Sequence, residues 1–109
     1  MLNFIGIDPM GNKVYLSAGA ENHILSRHPE MRSNLRYVKA TIIEPEYLLW
    51  FEKRRSYVAL KRLKEEEKLT LVIIYDKEGN IRTAYKTSKP QKLMKKGDVV
   101  YTAKNTEGN

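Results

Sequence analysis

The chain of 109 residues contains no cysteine. Disulfides, thiolate metal ligands and a cysteine nucleophile are therefore excluded. No apolar run approaches the length of a membrane span. The opening residues, Met1-Leu2-Asn3-Phe4-Ile5-Gly6-Ile7-Asp8, have neither a basic n-region nor a long apolar stretch. No secretory signal is read there, and the expected location is the cytoplasm. A glycine-rich phosphate loop is also missing. Acidic residues are outnumbered, 13 against 20 Lys and Arg, which leaves a net charge of +7. For a small domain, that balance favours polyanionic partners, above all nucleic acid, through phosphate contacts and counterion release. The alternative is a basic surface that serves only solubility.

Hydrophobic residues make up 41% of the chain, enough for a packed core. The length fits one domain, residues 1–109, and neither a repeat nor a linker divides it. Residues 1–11 and 105–109 are expected to be less ordered. Lys13 to Ser17 alternates as a short strand after the Gly11-Asn12 turn. Ala18 to His28 reads as a helix with Ser17 as N-cap, Ile24 and Leu25 pointing inward, and Pro29 ending it. A second helix is expected from about Asn34 to Glu44, capped by Ser33 or Asn34. Its Leu35, Val38 and Ile42 recur at helical spacing, and Pro45 stops it.

Strands follow. Tyr47 to Phe51 is too short for a helix, and Arg54-Arg55-Ser56 is a basic turn. Tyr57 to Leu63 alternates, Lys64 to Lys68 is a charged loop, and Leu69 to Tyr75 is the most β-like stretch. Asp76 to Asn80 makes a hairpin loop with glycine where a positive φ is useful, and Ile81 to Thr87 returns. Beyond Pro90 the chain is Lys-rich, with Gly97 as an interruption and Val99-Val100-Tyr101 as one more edge strand. The expected fold is α+β: a short N-terminal strand and two helices packed on a three- to five-stranded antiparallel sheet.

The two histidines fall together in His23-Ile24-Leu25-Ser26-Arg27-His28-Pro29-Glu30. Histidine takes and gives protons near neutral pH, and His23 and Arg27 share a helix face four residues apart. Histidines five apart do not make the i, i+4 pair of a helical zinc motif, and no carboxylate cluster accompanies them, so neither a metal nor a cofactor is expected. Thr83, Tyr85 and Thr87 alternate onto one strand face. Tyr57 and Lys61 are candidates for the same face, beneath the helix that carries His23 and Arg27. Arg54, Arg55, Lys61, Lys86 and Lys89 are candidate RNA-backbone contacts, with Trp50 or a tyrosine stacking on a base. The simpler readings stand beside these: His28-Pro29 as a helix stop, threonine and tyrosine as ordinary strand formers, and the basic clusters as solvated surface.

The element order and the His-x-x-x-Arg-His-Pro-Glu segment resemble the Barnase–EndoU–colicin–RelE (BECR) nuclease group, in its phage- and mobile-element-borne branches. Ile43-Glu44-Pro45-Glu46-Tyr47, Leu71-Val72-Ile73-Ile74-Tyr75 and Ile81-Arg82-Thr83-Ala84-Tyr85 carry the rest of the likeness, which covers Lys13 to Lys89. The last two of these segments are also similar to the final strands of RelE-like and BrnT-like toxins. The resemblance implies a metal-independent endoribonuclease, a toxin or a phage-derived enzyme, that leaves a 2′,3′-cyclic phosphate. His23, Arg27 and His28 would be catalytic, joined by Thr83, Tyr85 and Thr87. RNA would be the substrate, and an acidic antitoxin or immunity protein a possible partner. Some relatives use a strand histidine, and this chain has none. Two alternatives remain: a noncatalytic RNA-binding module, or a basic interaction protein that meets an acidic partner.

Overall fold

The computed structural model describes residues 2–66 and 68–103. Strands β1 (Leu2–Ile7) and β2 (Lys13–Ser17) form a hairpin. Helix α1 (Ala18–Arg27), two 3₁₀ turns (Pro29–Ser33 and Leu35–Tyr37) and helix α2 (Val38–Ile43) follow. Then come β3 (Tyr47–Phe51), β4 (Ser56–Arg62), β5 (Thr70–Asp76), β6 (Ile81–Thr87), helix α3 (Pro90–Met94) and β7 (Asp98–Thr102). The second sheet is five-stranded in the order β6-β5-β4-β3-β7, with antiparallel neighbours throughout. The α+β class expected from the pattern is the class observed. Among the described residues no helix is long and apolar enough to cross a membrane.

Helix α1 starts where its cap is. The Ser17 hydroxyl accepts from the Ala20 amide at 3.0 Å, which satisfies an otherwise orphaned donor. Ten residues are too few to hold a helix in water, so packing must hold it. Ile24 is fully buried, worth roughly 1.5–3 kcal/mol, with Leu25 packed beside it.

Two expectations need correction, and one further element is present. Residues 1–11 are expected to be less ordered, and within them Leu2–Ile7 is a strand, paired with β2 from Leu2↔Ser17 to Ile7↔Lys13. The helix expected from Asn34 to Glu44 is α-helical only over Val38–Ile43. Asn34 does not cap it: its side-chain amide donates to the Glu30 carbonyl at 2.8 Å and its own amide to Met31, which holds the chain in 3₁₀ turns. The Lys-rich stretch after Pro90 contains α3, for which the sequence reading named no element. Residues 105–109, also expected to be less ordered, lie outside the described residues.

Register decides which side chains meet. Leu48, Ala59, Ile73 and Ala84 line up across four strands and face α1 and α2, in the main core. Trp50, Tyr57 and Tyr75 form the next row on that same face. The alternate rows, Tyr47-Leu60-Val72-Tyr85 and Leu49-Val58-Ile74-Thr83, face the other way. Leu93 and Met94 of α3 pack on that second face.

Tyr75 is fully buried and its hydroxyl donates to Asp8 Oδ2 at 2.5 Å. Asp8 also accepts from the Met10 and Asn12 amides and from the Asn12 side chain. Burial, and then the neighbouring carboxylate, push the Tyr75 phenol far above its ordinary pKa. Unfolded tyrosine ionises near pH ~10 while the folded phenol keeps its proton. Above that pH the unfolded state binds fewer protons, so stability falls as pH rises, by about 1.4 kcal/mol per pH unit. Urea unfolding across this range should show the fall, and Tyr75→Phe should flatten it. A slope unchanged in Tyr75→Phe would contradict this assignment.

Candidate nucleic-acid interface

The second sheet face is not closed by α3. A groove of about 600 Å³ opens between the β3–β4 turn, the end of α3 and the start of β7. Val58, Ile74 and Tyr85 lie along it, with Phe51 and Trp50 on the β3 side. Lys53, Arg54 and Lys96 bring three cations to it, against Glu52 and Asp98. Gly97 lets the end of α3 sit on Phe51, since a Cβ there would come within 2.5 Å of the ring. The groove is therefore apolar along the sheet and mainly cationic at its rim, a combination that suits a polyanion carrying flat apolar groups.

Tyr85 links the groove to the helical layer. Its ring packs on the His28 imidazole with centroids 5.5 Å apart and planes tilted by 30°. His28 ends α1: its amide donates to the Ile24 carbonyl at 2.7 Å, and Pro29 opens the 3₁₀ turn. The helix stop and the placement of the imidazole are thus the same event. The ring Nδ1 stands 3.8 Å from the Glu30 carboxylate. Burial raises the Tyr85 phenol pKa, and the positive charge of Arg54 partly offsets this. The phenol therefore stays protonated at neutral pH.

The remaining candidates divide. Thr83, Tyr85 and Thr87 do share one strand face, as alternation requires. That face points away from α1, because an odd-numbered residue on β6 pairs with an even-numbered one on β5. Tyr57 and Lys61 lie on the opposite, helix-covered face, so the expected single cleft beneath the helix does not form. His23 and Arg27 are exposed on α1 and, among the described residues, their side chains make no hydrogen bond or ion pair. Lys61 Nζ donates to the Glu44 carbonyl at 2.6 Å, and Lys86 Nζ is held by Glu66 at 3.1 Å with its side chain 14% exposed. Those two amines are occupied by the fold. Arg55 pairs with Glu52 at 3.4 Å, whereas Arg54 and Lys89 are exposed, Lys89 just after Thr87, whose Oγ1 accepts from its amide.

Lys53 and the α3 wall were not singled out from the sequence. Pro90 at the first helical turn and Gly97 past its end were a readable signal for α3. Lys53 had only its place in a basic turn. Among the described residues no group of three or more His, Asp or Glu side chains is placed to hold a metal ion. Comparison with protein-family models, with curated proteins and with solved structures finds no match.

Proposed function

We propose that this protein is a metal-independent endoribonuclease of the BECR type, cutting RNA by attack of a 2′-OH on the adjacent phosphate. The carrying observation is Tyr85, which lines a groove rimmed by Arg54, Lys53 and Lys96 and packs on the His28 imidazole. Such cleavage needs a base, an acid and a cation at the phosphorane. His28 takes the 2′-OH proton as the oxygen bonds to phosphorus. The Arg54 guanidinium, planar and bidentate, holds the phosphate oxygens. Tyr85, kept protonated by burial, gives its proton to the departing 5′-oxygen. The product is a 2′,3′-cyclic phosphate, and solvent restores both proton-transfer groups. RNA is then the partner in the cytoplasm, and in a toxin the same cations would receive an acidic antitoxin or immunity protein.

Incubation of mixed-sequence RNA in EDTA tests this. The expected result is cleavage of RNA and none of its 2′-O-methyl counterpart, which lacks the attacking hydroxyl. Equal cleavage of both would sink the proposal. Arg54→Ala should weaken RNA binding and lower the salt slope by about one phosphate contact. An unchanged slope would remove Arg54 from the interface.

A second reading has its own support. His23 and Arg27, two of the three α1 residues that the resemblance implies are catalytic, stand exposed on the helix, and none of the three lines the groove. A noncatalytic RNA-binding module would show a steep salt slope and no turnover.

A further inference from the structure

We infer that Trp50 and Tyr57 form a stacking shelf for unpaired RNA bases, so that the ligand is single-stranded RNA. The inference rests on the proposed RNA groove and adds a second contact surface on the other side of the sheet. Trp50 and Tyr57 are neighbours on β3 and β4, with ring centroids 4.8 Å apart and planes inclined at 57°, an edge-on contact rather than a stack. Tyr57 in turn stacks on Tyr75 at 5.5 Å and 26°. Tyr75 is fully buried and tied to Asp8, so the innermost ring of the ladder is fixed. The two outer rings are only partly buried. Helix α2 packs over β4 and β5, and α1 over β6. The row ends at the β3–β4 turn.

That turn supplies the charge. Lys53, Arg54 and Arg55 follow Trp50 after Phe51 and Glu52, and all are exposed. The carboxylate within the turn, Glu52, accepts from the Trp50 indole at 2.8 Å, which fixes the indole, and faces Arg55 at 3.4 Å; a second carboxylate, Asp98, pairs with Trp50 from β7. Trp50 also lines the groove on the second face. A strand held by its phosphates in the groove therefore meets the shelf by passing the turn. Rigid aromatic rings beside cations suit a base with a free π-face. A duplex keeps its bases stacked on one another and offers none.

Trp50 is the only tryptophan, so its emission reports base contact at the shelf and at the β3 side of the groove, and Tyr57→Leu separates the two. The probe is a short single-stranded 2′-O-methyl oligoadenylate, which resists cleavage. Single strands should quench Trp50, whereas a 2′-O-methyl duplex and inorganic polyphosphate should not. Tyr57→Leu should weaken single-strand binding about tenfold. Binding of a labelled oligoadenylate with unchanged Trp50 emission would overturn the shelf and leave the groove standing. Quenching by polyphosphate, or wild-type affinity in Tyr57→Leu, would also overturn it. Absence of binding by any RNA would overturn the groove and the shelf together.

Discussion

Replacing His28 by alanine should lower RNA cleavage by about 10²–10⁴-fold, the usual worth of a positioned proton-transfer group. His28→Phe separates chemistry from packing. A phenyl ring keeps the contact with Tyr85 but accepts no proton, so it should fold and remain as inactive as His28→Ala. His23→Ala should cleave at close to the wild-type rate, because His23 is exposed on α1 and the imidazole that packs on Tyr85 of the groove is that of His28. Single-turnover rates for the three variants, read beside their melting curves, check this. Loss of activity in His23→Ala with retention in His28→Ala would move the site to the exposed face of the helix.

The second large effect is structural. Gly79 has φ +95°, in the β5–β6 turn. A Cβ there would run into the carbonyl oxygen of Lys13, a backbone atom that cannot step aside. The contact is close because β2 docks on this turn: the Tyr15 amide donates to the Gly79 carbonyl at 2.8 Å. Gly79→Ala combines a left-handed backbone penalty with displacement of β2, so it should destabilise the fold by about 3 kcal/mol or more. Chemical denaturation measures this directly. A loss below about 1 kcal/mol would mean that the hairpin and the turn separate easily. Gly11→Ala makes a useful contrast. It too has a positive φ, +90°, but no atom lies within 4 Å of its Cβ, so only the backbone penalty remains.

Much of this architecture is legible in the residues because local signals agree. Ser17 reads as a cap and is one. Tyr47–Phe51 and Ile81–Thr87 fall where the pattern places strands. The second helix fails because Leu35, Val38 and Ile42 have the right period whether the turns are 3₁₀ or α. Hydrophobic spacing does not register that the Asn34 side chain competes for a nearby carbonyl. The β1 strand was missed because its pattern is poor: Leu2, Phe4 and Ile7 are exposed, and pairing with β2 rather than burial orders it.

The candidate site was only partly legible, and for a different reason. Alternation correctly grouped Thr83, Tyr85 and Thr87, but it carries no information about which face a neighbouring strand presents. That depends on register, and pairing of Tyr57 with Tyr75 and of Lys61 with Leu71 puts both on the helix side. His28 could be picked out, but its reach to Tyr85 depends on α1 ending beside the edge strand β6. Lys61 and Lys86 read as free cations until Glu44 and Glu66, distant in sequence, are seen to hold them.

The most direct test of the ribonuclease assignment is the chemistry of the 3′ ends produced from RNA in EDTA. Attack by the 2′-OH leaves 2′,3′-cyclic phosphates, and these should form with the wild-type protein and fall away with His28→Ala. Products ending in 3′-hydroxyls, or cyclic phosphates formed equally by His28→Ala, would contradict it.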